Sequence, residues 1–167
     1  MARDDVWLRS LHSRAAEDVT RYALRRAPSV ADAEDAVSEA FLVAWRRREV
    51  VPDPPEDILW LYGVTRNALA NQSRGDRRRI RLRARLATEP AHLPGPDPPD
   101  PRVGLLREAL VQLPEDAELL RLLTWERLSH GQAAEVLGTS ENAVALRASR
   151  ARRRLAQLMT ASTAVGT

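Results

Sequence analysis

The residues best suited to chemistry lie in "SHGQAAEVLGTSENAVALRASRARRRL", residues 129–155. Asn142 carries an amide that can pair with an adenine edge, and Arg147 and Arg150 carry guanidiniums that reach guanine or phosphate. Those groups read duplex DNA only if a helix carries them into the major groove. The spacing supplies such a helix. Ser129 and Gln132 have the S-x-x-Q form of a capping box. Ala133, Val136 and Leu137 give an apolar side, and Gly138 suits the left-handed residue that ends a helix. Thr139 or Ser140 caps the next helix. On it, Val144, Ala148, Ala151 and Leu155 share one face, while Asn142, Ala145, Leu146, Ser149 and Arg150 turn away. The pattern predicts a helix–turn–helix. The alternative is a plain helical hairpin with solvated arginines, because such motifs are short and degenerate.

A second set lies in "WLYGVTRNALANQS", residues 60–73. Asn67 and Asn71 are four apart and could line a pocket for an unpaired base, with Trp60 or Tyr62 packing or stacking beside it. Core positions for Trp60 and Tyr62 are the alternative. The run "RGDRRRIRLRAR" follows, with seven arginines and one aspartate. Charge this dense is an electrostatic footprint for nucleic acid, or else a solvated basic segment. Glu34, Asp35 and Glu39 form an acidic group that could dock a basic partner or lie solvated. Nothing points to an enzyme. There is no phosphate-binding loop and no nucleophile elbow. Cysteine is absent, and His12, His92 and His130 are scattered without ligand spacing, so neither metal nor cofactor is expected.

The elements that must position these groups are helices. The chain has 167 residues and is 44% hydrophobic, with one Phe and two Tyr, so its core is built from Leu, Ala and Val, a mix that favours helix. Net charge is only +3, yet the isoelectric point is about 10.4, and all 26 basic residues are arginine. That bias suits bidentate phosphate contacts and also suits a GC-rich coding genome. A first helix is expected from Asp4 to Arg26, with Trp7, Leu11, Ala15, Val19 and Tyr22 on one face, stopping at Pro28. A second is expected from Ala31 to Arg48, with Ala33, Val37, Phe41 and Trp45 as its stripe together with Ala40 and Ala44. Its acidic start and its closing Arg46, Arg47 and Arg48 suit the helix dipole. A third begins near Glu56, carries Ile58, Leu61, Val64 and Ala68, and is interrupted at Gly75. The segment Thr88 to Pro101 holds six prolines and is expected as an extended, semi-rigid spacer. Beyond it, Leu106, Ala109, Leu110 and Leu113 make a helix, and Pro114 opens another. The fold class is therefore all-α, two small helical domains joined by a Pro-rich linker. The expected bounds are 1–86, a linker over 87–102, 103–160, and a disordered tail over 161–167. No run approaches the ~18 apolar residues of a membrane span, and no signal-peptide core opens the chain, so a cytoplasmic protein without membrane insertion is expected.

Taken together, the segments resemble an extracytoplasmic-function (ECF) sigma factor of bacterial RNA polymerase, of the sigma-70 family. "DAEDAVSEAFLVAWRRR" is similar to that family's second conserved region, and "WLYGVTRNALANQSRGDRRR" to the segment after it. "LPEDAELLRLLTWERLSHGQAAEVLGTSENAVALRASRARRRL" is similar to its fourth region, and the proline-rich spacer stands where the family's linker stands. The resemblance implies that Asp32, Glu34, Asp35, Ser38, Glu39 and Leu42 meet the clamp coiled coil of the polymerase's largest subunit. It implies that Trp60, Arg66, Asn67, Asn71, Gln72, Ser73, Arg74, Arg77, Arg78 and Arg79 hold the melted minus-ten strand. It assigns the duplex minus-thirty-five element to Ser129, Gln132, Ser140, Glu141, Asn142, Ala145, Leu146, Arg147, Ser149 and Arg150, and a polymerase flap contact to the same domain. An anti-sigma factor is a further possible partner. The chain departs from the family at Ser38, where glutamine is usual, at Gly63, and at Ala145 and Leu146, where polar residues are common. Ala133 replaces a larger aliphatic residue. A free-standing helix–turn–helix regulator is the competing reading. It requires a dimer to span two half-sites and leaves the acidic helix without a role.

Overall fold

The computed structural model describes residues 3–84 and 101–165, the side chains of 76–84, 101–103, 107 and 162–165 excepted. The described residues form helices and no strands. The chain divides into two units, 1–90 and 91–167.

The first unit is a three-helix bundle of α1 (Asp5–Leu24), α2 (Val30–Arg46) and α3 (Asp57–Ala84), with a short 3-10 turn at Arg48–Val50. Asp4 caps α1 by accepting from the amides of Val6 and Trp7, at 3.0 and 3.1 Å. Ser29 caps α2 by accepting from Asp32 N at 3.1 Å. The helices pack through Leu11, Ala15, Val19 and Tyr22 of α1, Ala33, Ala36, Ala40, Phe41 and Ala44 of α2, and Leu59, Leu61, Tyr62 and Ala68 of α3. The alanine seam of α2 lets neighbouring backbones approach closely. Of its expected stripe, Val37 and Trp45 are only half-buried, and Ala36 takes the inner place. Tyr22 stacks on Tyr62 with centroids 4.6 Å apart. Tyr62 therefore belongs to the core and is not a stacking platform for a base. The buried Thr65 hydroxyl is satisfied by the Leu61 carbonyl at 2.8 Å. Asp57, 6% exposed, pairs with Arg14 at 2.8 Å and ties α1 to the start of α3. Arg3 closes the far corner by donating to the carbonyls of Arg48 and Val51 and pairing with Asp53 at 2.8 Å.

Helix bounds expected for this unit also need correction, α1 ending at Leu24 and not at Arg26. α2 ends at Arg46, with Arg47 as its cap and Arg48 in the 3-10 turn. α3 is not interrupted at Gly75 but runs on to Ala84. A lone glycine costs a helix about 1 kcal/mol, and the arginines around it are good helix formers.

The second unit contains α4 (Pro101–Val111), α5 (Pro114–Thr124), α6 (His130–Leu137) and α7 (Glu141–Val165). Pro101 and Pro114 each open a helix, where a missing N–H costs nothing. Pro101 is thus helical and not spacer. The rest of the expected spacer, 88–100, lies outside the described residues. Leu119, Leu122, Val144 and Ala151 are fully buried, with Ala148, Ala133 and Leu113 beside them. The tail expected to be disordered over 161–167 is helical as far as Val165. The sequence has no glycine or proline between Gly138 and Gly166 to stop α7. No helix among the described residues is long and apolar enough to cross a membrane.

Candidate nucleic-acid interface

In the second unit the turn between α6 and α7 is set by local chemistry. Ser129 Oγ accepts from Gln132 N at 3.1 Å, and Gln132 Oε1 accepts from Ser129 N at 2.9 Å, a complete capping box. Gly138 ends α6 at φ 64°, in the left-handed region. Ser140 Oγ accepts from Ala143 N at 3.3 Å and opens α7. Glu141 sits against Gly131 of α6, where an added Cβ would meet its carboxylate at 3.5 Å. Ser129, Gln132, Ser140 and Glu141 thus shape the turn. Val144, Ala148 and Ala151 bury one side of α7, and Leu155 is half-buried in line with them. Asn142, Leu146, Ser149 and Arg150 are exposed on the other side, and Ala145 is half-buried.

Arg147 departs from the expected role. Its guanidinium donates to the Glu115 carbonyl at 2.7 Å and pairs with Asp116 at 3.3 Å, bracing α7 against the start of α5. Arg154, two turns later, approaches the same Asp116 at 3.9 Å. In sequence Asp116 looks like a first-turn acid serving its own helix dipole; nothing local signals its partners on α7. Arg153 is also exposed on the outward side of α7, a position the sequence reading passed over. Leu106, Leu110, Leu120, Trp125 and Leu155 line a small, mostly apolar cleft of ≈ 130 Å³, with Arg121, Thr124 and Arg152 at its edges and away from the exposed Asn142 and Ser149.

In the first unit, a groove of ≈ 570 Å³ lies between α2 and α3. Asp35, Ser38, Glu39 and Leu42 form one wall, and Ala68, Asn71 and Gln72 the other. Residues expected to meet a polymerase and residues expected to hold a DNA strand therefore share one groove. Gln72 Oε1 is buried there, and no described protein group donates to it. The rest of the two sets lies elsewhere. Asp32 is held by its own cap, accepting from the Ser29 hydroxyl at 2.5 Å. Glu34, Arg66 and Asn67 are exposed outside the groove lining, Trp60 and Ser73 are half-buried, and Arg74 folds back onto the Ala70 carbonyl at 3.2 Å. Arg77, Arg78 and Arg79 lie on α3, but their side chains are outside the described residues.

Comparison with known proteins gives a consistent result. The family model "Sigma-70 region 2" matches residues 11–79, and "Sigma-70, region 4" matches residues 104–155. The ECF RNA polymerase sigma factor SigL of Mycobacterium tuberculosis is 31% identical over 150 residues, covering 86% of this chain and 83% of SigL. The probable RNA polymerase sigma factor RfaY of Xanthomonas campestris pv. campestris is 36% identical over 142 residues, 80% of this chain, but the chain spans only 36% of RfaY. Among solved structures, the sigma factor RpoE of Bartonella quintana, in complex with the anti-sigma factor NepR, shares the fold with a TM-score of 0.68 at 22% identity. That match covers 91% of this chain and 96% of RpoE.

Proposed function

This chain belongs to the ECF sigma factors of the sigma-70 family, and from that membership we propose how its residues divide the work of promoter choice. The protein binds core RNA polymerase and directs transcription initiation at particular promoters. It is a non-catalytic subunit acting in the cytoplasm, where polymerase and promoter DNA meet. Asp35 and Glu39, with Ser38 and Leu42, take the basic clamp of the enzyme. Asn71 and Gln72 across the groove take a base of the melted minus-ten strand. A flipped base brings N–H donors on its free edge, and the unpartnered Gln72 oxygen would accept one once its side chain turns into the groove. The second unit reads the duplex minus-thirty-five element with the exposed side of α7. The same unit takes the polymerase flap.

The physical logic is a division by DNA state. A duplex offers its edges in a groove that a helix can enter. A melted strand offers whole bases, which pockets and stacking can grip. The presence on one chain of a groove lined by amides and carboxylates and of a helix–turn–helix is the observation that carries the reading. An anti-sigma partner, as bound by the Bartonella protein, would act by covering either surface.

The test is reconstitution. The purified chain and core polymerase are incubated with genomic DNA of the source organism, and transcript starts are sequenced. Starts sharing two motifs at a fixed spacing are expected. A start profile no different from core enzyme alone would refute the reading.

A further inference from the structure

Leu146 is 61% exposed on the outward side of α7, one turn beyond Asn142 and nearly opposite the buried Val144 and Ala148. Packing does not account for it, because Val144, Ala148 and Ala151 already fill the inner seam. Its neighbour Arg147 is turned away and held by Glu115 and Asp116. The middle of the exposed face is therefore aliphatic, with an amide at one end and Ser149 and Arg150 at the other.

The major groove presents one methyl, at C5 of thymine; the features that mark the other bases there are hydrogen-bond donors and acceptors. An aliphatic side chain gains by burying against that methyl. Against a cytosine amine or a guanine carbonyl it would strip water and return no hydrogen bond. Helical side chains lean toward the N-terminus, so Leu146 covers ground toward Asn142. One helical turn, about 5.4 Å, spans roughly two base-pair steps of about 3.4 Å.

We propose that Leu146 is a specificity-determining residue that reads a thymine methyl in the minus-thirty-five duplex, within about two base pairs of the adenine taken by Asn142. The inference rests on α7 being the duplex reader. It assigns the site a chemical preference for one methyl group.

The test uses holoenzyme assembled from the full chain and core polymerase, on a promoter mapped by transcript sequencing. Each thymine of the minus-thirty-five element is replaced singly by deoxyuridine, which removes the methyl alone. One replacement is expected to lower initiation about fourfold, the worth of one buried methyl. The same replacement should have no effect with Leu146→Ala, while Leu146→Met retains the dependence. The exposure of Leu146 predicts that both variants melt like the parent. The inference is overturned if no deoxyuridine lowers initiation by the parent holoenzyme, or if Leu146→Ala keeps the fourfold drop. An element with no thymine near its adenine overturns it too. Loss of the wider reading looks different: the parent holoenzyme would not initiate on unmodified DNA, and this inference would go with it.

Discussion

Two arginines of α7, three residues apart, are expected to behave differently. Arg150 is exposed and free to meet a phosphate, so Arg150→Ala should reduce the slope of log affinity against log salt by about one. Arg147 already has partners within the protein. Arg147→Ala should change that slope much less. It should also lower the stability of the second unit by about 0.5 kcal/mol, a small figure because the pair is partly solvated. Promoter binding by holoenzyme over a salt series, with urea unfolding of the free chain, checks both. The helical period alone places Asn142, Ser149 and Arg150 on one side, because spacing fixes a face once a helix is granted. The tie between Arg147 and Asp116 was not legible. The two are 31 residues apart in sequence, and only the packing of α5 on α7 brings them together.

Glycine makes the contrast between elements plain. Gly138 sits at φ 64° with open space where a Cβ would go, so only its backbone resists a side chain. Gly138→Ala should destabilise the second unit by about 1 kcal/mol. Gly75 lies inside α3, also with open space around the added atom. Gly75→Ala should stabilise the helix by about 0.5–1 kcal/mol. The same substitution thus carries opposite signs at the two sites, which denaturant midpoints can read. Ser129→Ala removes half the capping box and should cost about 1 kcal/mol by the same measurement. The α6–α7 turn was legible because each signal in it is local: a serine cap, a glutamine, Gln132, at N3, and a left-handed glycine. The run of α3 past Gly75 was misread, because a single glycine resembles a stop unless its neighbours' helix propensity is weighed against it. Ala36 was missed on α2 because the stripe was run through the more apolar Val37 beside it, whereas Ala36 is the fully buried one and Val37 only half-buried.

At the scale of the whole molecule, the net charge of +3 conceals a strong local pattern. Asp35 and Glu39 give the groove an acidic wall, while the outward side of α7 carries Arg150 and Arg153. Replacing Asp35 and Glu39 together by arginine should weaken association with core polymerase by about tenfold or more, through like-charge contact with a basic clamp. Neither residue is buried, so the melting temperature of the free chain should hardly move. A binding titration against core enzyme, beside a thermal melt, separates the two outcomes. The all-helical composition and the two-part division were readable from residue types and the proline cluster. The groove was not, because its walls lie about thirty residues apart and meet only when α2 packs on α3. That shared groove also sets a rule for anyone grafting parts between regulators. A chimera that exchanges α3 alone would pair a foreign amide wall with the native acidic one, so retargeted variants should inherit both helices as a single cassette.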